Sequence, residues 1–159
     1  MAIVVIRDVD RTTVAAVRAA SASGPREPLT LIFAHSPGGS IGAAETIADI
    51  VTSHAGKTTA RIIGRADSAS IVCVAACDER VGAISAQFAM HLSAPMSPSG
   101  RRMTSYQFRA EAEKLDRLDK RCQDRIARCI GCNTGILASL EAGNATIGAT
   151  RALALGLLT

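Results

Sequence analysis

Flat side chains are scarce: the 159 residues include no tryptophan, one tyrosine and three phenylalanines. A nucleic-acid surface built on base stacking has little to work with. Long apolar runs are missing as well. Stretches such as SIVCVAAC are far too short to cross a bilayer, and the start, MAIVVIRDVD, lacks the basic, apolar, small-residue order of a secretory signal. The expected address is cytoplasmic, with no membrane partner. Cys129 and Cys132 form one Cys-x-x-Cys, without a second such pair or a histidine pair in the order a zinc site needs, so no metal is expected. That motif follows a long helical pattern instead of opening a helix after a strand, which speaks against a redox role. The five cysteines, Cys73, Cys77, Cys122, Cys129 and Cys132, are odd in number and read as reduced, buried structural thiols. No repeat, low-complexity tract or long linker divides the chain, and its 48% hydrophobic content fills one core, so residues 1–159 are expected to form a single domain.

The charge that is present is localised. Nine basic and five acidic side chains between residues 101 and 128 account for the whole formal excess of +4. Glu113 with Arg117, Asp116 with Lys120 and Asp124 with Arg128 stand four apart, acid first, as on an exposed helix. With only Tyr106 and Phe108 nearby to stack, a solvated or subunit-facing helix is expected here, and no nucleic-acid partner.

Hydrophobic periodicity predicts a first strand and helix and then two successive strand–turn–helix units. Strand IVVI precedes a helix from Arg11 to Ser21 capped by Asp10; strand LTLIFA leads through Gly38 and Gly39 into a helix from Ile41 to Ser53; strand TTARII leads through GRAD into a helix from Ser68 to Cys77. The β-rich ERVGAI and QFAMH follow, implying right-handed crossovers and a largely parallel α/β sheet. A polar loop from Ser93 to Met103 then precedes helices from Thr104 to Ile130, Thr134 to Glu141 and Ala149 to Leu155.

In a parallel sheet the turns after the strands emerge on one side, where α/β proteins bind ligands. Ser68 stands there at a helix start, beside the amide of Ala69, where unpaired N–H groups favour a developing negative charge. His91, ending QFAMH, is the candidate base for the Ser68 hydroxyl. Gly38 and Gly39 in HSPGGSIGAA leave bare backbone to donate N–H to an oxyanion or to pair with an extended peptide. Simpler roles compete: Ser68 as a helix N-cap, His91 as a hydrogen-bonded core histidine, and Asn144 as a turn residue. Ser70 is a second candidate nucleophile facing another way. His35 and His54 are read as structural, Asp67 and Asp78 as caps or surface charges, with Asp78 a distant reserve for orienting the histidine.

SPGGS after one strand, GRADSAS after the next, AMH on a later strand and CNTG closing the long helix resemble the Clp protease proteolytic subunit in order and spacing, from Ile3 to Leu158. The resemblance implies a Clp/crotonase-type α/β fold of spiral βαβ units with a protruding handle, here about residues 93–131. It makes Ser68 the nucleophile and His91 the general base of a serine endopeptidase. Gly39 and Ala69 become the oxyanion hole, Gly38 part of the substrate-binding strand, and Asn144 the third triad member where the family has aspartate. It further implies peptide or unfolded-protein substrates, a homo-oligomer of two stacked rings enclosing the active sites, and neither metal nor organic cofactor.

The sequence departs from that pattern at Ala69 and Ser70, at Leu92, at His35 and at Asn144. It also starts almost at the first core strand, without the segment that forms axial loops, so an unfoldase ATPase partner is not the leading expectation. Two other readings stay open: a non-catalytic Clp-like structural subunit with a defective triad, and a crotonase-type acyl-CoA enzyme, for which the acidic residues and adenine pocket are not found.

Overall fold

Alternation of buried and exposed side chains sets up the central sheet. In the computed structural model, which describes residues 1–94 and 104–159, β1 (Ala2–Ile6), β2 (Leu29–Phe33), β3 (Thr58–Ile62) and β4 (Glu79–Gly82) lie side by side in that order, all parallel. Leu29, Leu31 and Phe33, with Ile6 and Ile62, face the helices and are buried. The other face keeps Ile3, Val5 and Val81 exposed. Crossover helices α1 (Arg11–Ser23), α2 (Ile41–Ser53) and α3 (Ala69–Ala75) cover the buried face. Asp10 caps α1 by accepting from the Thr13 amide at 2.8 Å. In α2 the apolar stripe Ala43, Ala44, Ile47, Ala48 and Val51 repeats at helical spacing and is buried.

Short parallel bridges continue the sheet past its strand ends: Val9 with Gly39, Ser36 with Ala66, and Arg65 with Gln87. Each βαβ unit thereby adds a second, brief extended segment above the first, and the turns after successive strands are stitched together. This is the spiral arrangement expected. One strand departs in part from expectation: QFAMH meets the parallel layer through Gln87 beside Arg65 but is not among the four strands of the sheet. Its β5 (Gln87–Ala89) pairs antiparallel with β6 (Thr146–Gly148), a strand absent from the sequence-based reading.

The long helix α4 (Ser105–Ile130) begins after a capping box of Thr104 and Gln107 and ends at Gly131 in the left-handed region, φ +72°. Residues 95–103, including the rest of the expected polar loop with Arg101 and Arg102, lie outside the described residues. The first half of α4 is largely exposed, and its second half buries Cys122, Ile126 and Ala127 against the body. Helices α5 (Thr134–Ala142) and α6 (Ala149–Ala154) complete the chain. No described helix is long and apolar enough to cross a membrane.

The charge pairing of α4 is corrected by the structure. Glu113 meets Arg117 at 3.7 Å, but Lys120 pairs with Asp124 at 3.0 Å instead of Asp116, and Arg128 donates to the Asp124 carbonyl. Arg121 forms a two-point ion pair with Glu45 at 2.6 and 2.9 Å, and Arg125 meets Asp49 at 2.8 Å. Carboxylates of α2 thus draw α4's arginines off the helix's own surface, so part of the basic excess is a tether between helices. Cysteine burial is also corrected. Cys73, Cys77 and Cys122 are buried, Cys132 is half-buried and Cys129 is exposed. Cys129 falls one position short of Ile130, the next residue on the stripe through Cys122 and Ile126.

Asp78 sits at the far end of the sheet from the turns. One of its oxygens accepts from both the amide and the hydroxyl of Thr58 at 2.8 Å, and its own amide donates back to that hydroxyl at 2.9 Å. It joins the starts of β3 and β4 and is not available to orient a histidine. Asp78→Ala removes this clasp and is expected to cost about 1–3 kcal/mol, read as a lower urea midpoint at unchanged slope.

Candidate active site

The turn from β3 into α3 puts Ser68 in a backbone conformation that side chains rarely adopt, φ +53° and ψ −125°. Such a residue persists only where its surroundings over-determine it. Here the Ser68 amide donates to the Ala89 carbonyl at 2.8 Å, the Asp67 amide to Ser36 at 2.9 Å, and the Ala66 amide to Gln87 at 3.1 Å. Asp67 adds its side chain: one oxygen accepts from the Ala89 amide at 2.8 Å and the other meets Arg65 at 3.0 Å. The turn is therefore locked to β5, the strand that leads to His91.

The Ser68 hydroxyl makes no helix-capping bond, which removes the N-cap reading. Ser70, its competitor, is fully buried and shares a 2.7 Å hydrogen bond with Ser36. Of the two serines, only Ser68 lines the cleft above the turn.

Gly38 and Gly39 hold positive φ of +99° and +143°. A Cβ on Gly38 would lie 2.9 Å from Ser68 Cβ and 3.1 Å from the Ala69 nitrogen; one on Gly39 would lie 2.5 Å from the Val9 carbonyl oxygen. The close approach of this backbone to the Ser68 turn requires glycine. The Val9 amide donates to Gly38 and the Ser40 amide to Val9, both at 2.8 Å. That ladder uses the groups flanking Gly39 and leaves its own N–H out. Among the described residues neither the Gly39 amide nor the Ala69 amide has an acceptor.

His91 is exposed and lines the same cleft as Ser68 and Ala69. Its Nδ1 lies 2.9 Å from the Leu92 carbonyl oxygen. A carbonyl only accepts, so Nδ1 carries the hydrogen and Nε2 of the neutral ring is left with a lone pair, the form a general base needs. Among the described residues no hydrogen bond joins Ser68 Oγ to the ring. Asn144 adjoins the end of the β5–β6 pairing: the strands continue through a 2.8 Å bond from Met90 to the Ala145 carbonyl, the residues next to His91 and Asn144. Its side chain does not take the hydrogen of Nδ1, however. Asn144 is an exposed turn residue at φ +48°, its amide donating to Glu141, and Leu92 occupies Nδ1.

A model of the family Clp protease matches residues 3–159. The chain belongs to the Clp protease family. No curated protein matches it, but solved structures do. One is a ClpP1 mutant from Listeria monocytogenes, with a TM-score of 0.83 at 18% identity, covering 98% of this chain and 88% of that one. That likeness establishes the Clp-type α/β fold, and family membership carries with it a peptidase-type function.

Sequence reasoning missed two members of this Clp-type cleft. Asp119 of α4 and Glu141 of α5 line it together with Ile71, Val72, Ile126 and Leu137. Both had the signal of helical phase: Asp119 stands three and seven residues before the buried Cys122 and Ile126, and Glu141 stands four after the buried Leu137. Burial pushes Glu141 above the usual carboxylate range, and neighbouring Asp119 pushes the same way, while the Gln123 amide and His91 act against them. Burial also holds the Cys122 thiol at about 11, so it remains protonated and is no rival nucleophile. His35 lays its ring against Gly64, and His54 bridges Ser21 and the Glu27 carbonyl, so both serve packing.

Proposed function

We propose that the chain is a serine endopeptidase that cleaves peptide bonds through an acyl-enzyme, within a chamber formed by copies of itself. One observation carries the reading: a serine held in a strained turn, its hydroxyl uncommitted to the helix it precedes, shares a cleft with a histidine whose Nδ1 hydrogen is already occupied. An extended substrate pairs along Gly38. Ser68 Oγ attacks the carbonyl carbon as Nε2 of His91 removes its proton, and the oxyanion is met by the amides of Gly39 and Ala69. The imidazolium then protonates the departing amine, and water repeats the sequence to release the acid. Side chains and amides supply every step.

The non-catalytic alternative draws on a specific feature, namely that Ser68 is not bonded to His91 and Asn144 does not reach the ring. One experiment separates the two. A fluorophosphonate probe is expected to label the wild-type chain, with mass spectrometry placing the adduct on Ser68, and to leave Ser68→Ala unlabelled. A wild-type chain that stays unlabelled under conditions that label a control hydrolase would show a scaffold subunit instead.

A further inference from the structure

The cleft beside Ser68 is walled by carbon but floored by charge. Ile71 and Val72 of α3, Ile126 of α4 and Leu137 of α5 form its sides, and Asp119 and Glu141 line the same space. Asp119 is 9% exposed, and among the described residues its oxygens accept only the Ser93 amide, at 3.0 and 3.3 Å. Glu141 accepts from the neutral Gln123 amide at 2.6 Å. Among the described residues no lysine, arginine or histidine lies within 4 Å of either carboxylate. The basic residues flanking Asp119 on α4 are paired elsewhere: Arg117 with Glu113, Lys120 with Asp124, Arg121 with Glu45 and Arg125 with Asp49.

Resting on the peptidase reading, we propose that this cleft receives the side chain of the residue whose carbonyl Ser68 attacks, and that it selects lysine or arginine there. That residue is the one tethered to Ser68 in the acyl-enzyme, so its side chain has the shortest path into a cleft lined by Ser68 and Ala69. An apolar occupant would cover the walls but strip water from two carboxylates that have only neutral donors, which is costly. A lysine or arginine buries its aliphatic stem along Ile71, Val72 and Leu137 and brings a countercharge to the floor. A glutamate at that position adds a third negative charge and is rejected.

The test uses the full chain, a fluorophosphonate probe and four fluorogenic peptides that differ only in the residue before the scissile bond: arginine, lysine, leucine or glutamate. Where the probe labels Ser68 in a parallel sample, kcat/KM of the untreated chain is expected to be at least about tenfold higher for arginine or lysine than for leucine, a difference of about 1.4 kcal/mol, and lowest for glutamate. The paired substitution Asp119→Asn with Glu141→Gln is expected to reverse the order of arginine and leucine. Labelling accompanied by a leucine preference in the wild type overturns the proposal and leaves the peptidase reading standing. So does a paired variant that keeps the wild-type order. Absence of both labelling and hydrolysis overturns the two together. The ranking by wild type stands by itself if the paired variant fails to fold.

Discussion

His91→Ala lowers kcat for peptide hydrolysis by about three to four orders of magnitude, within the range general-base removal produces, and adding Ser68→Ala lowers it little further. The reason lies in how the two groups are presented. The Ser68 hydroxyl is free of helix capping but is a weak nucleophile while it keeps its proton. The ring opposite has one nitrogen committed to Leu92 and the other with its lone pair open. Neither group accelerates the reaction without the other, and residues that act as a unit are not additive when removed. What survives in both variants is the contribution of the Gly39 and Ala69 amides and of substrate binding. Steady-state cleavage of a fluorogenic peptide by the two single variants and the double checks this. Losses that multiply, so that the double variant falls far below either single, would mean that Ser68 and His91 do not serve one chemical step.

The same presentation explains what the sequence revealed and what it hid. Helices α2 and α4 were legible almost to the residue. Their apolar positions recur at helical spacing, and Thr104 and Gly131 are strong terminal signals. Ser68 was legible through context, because two glycines at one strand end and a serine at the next can share a crevice only in a parallel sheet. Its strained φ was not legible, since the conformation is imposed by Ala89, Gln87 and Ser36 from other segments. Strand β6 escaped because three residues carry no periodicity, and its only reason to be extended is β5, nearly sixty positions away. The arginines of α4 misled in a different way. Spacing of four is a rule for a helix in water, and carboxylates on α2 compete for Arg121 and Arg125 once the helix is packed. Asp119 was hidden by the same assumption, counted with a solvated face although it lies in phase with Cys122 and Ile126.

Asn144→Asp is expected to raise kcat by about ten- to a hundredfold, or about 1.4 to 2.7 kcal/mol of transition-state stabilisation. During attack His91 becomes an imidazolium. Among the described residues of the wild-type structure the only partner of Nδ1 is the carbonyl of Leu92, a dipole without net charge. The bond from Met90 to Ala145 ties together the residues that adjoin His91 and position 144, so a carboxylate there that turns to the ring takes over the Nδ1 hydrogen and adds a full negative charge as the positive charge develops. The exchange is small in structural terms, because Asn144 is exposed in a left-handed turn that aspartate also tolerates. The sign of the pH effect follows from the same charge. A carboxylate beside an imidazole favours its protonated form, and the base must be unprotonated to act, so the acid limb of kcat/KM moves to higher pH while the plateau rises. A folded Asn144→Asp chain with an unchanged plateau and an unmoved acid limb would mean that position 144 does not address the ring, leaving Leu92 as the group that orients His91 throughout turnover.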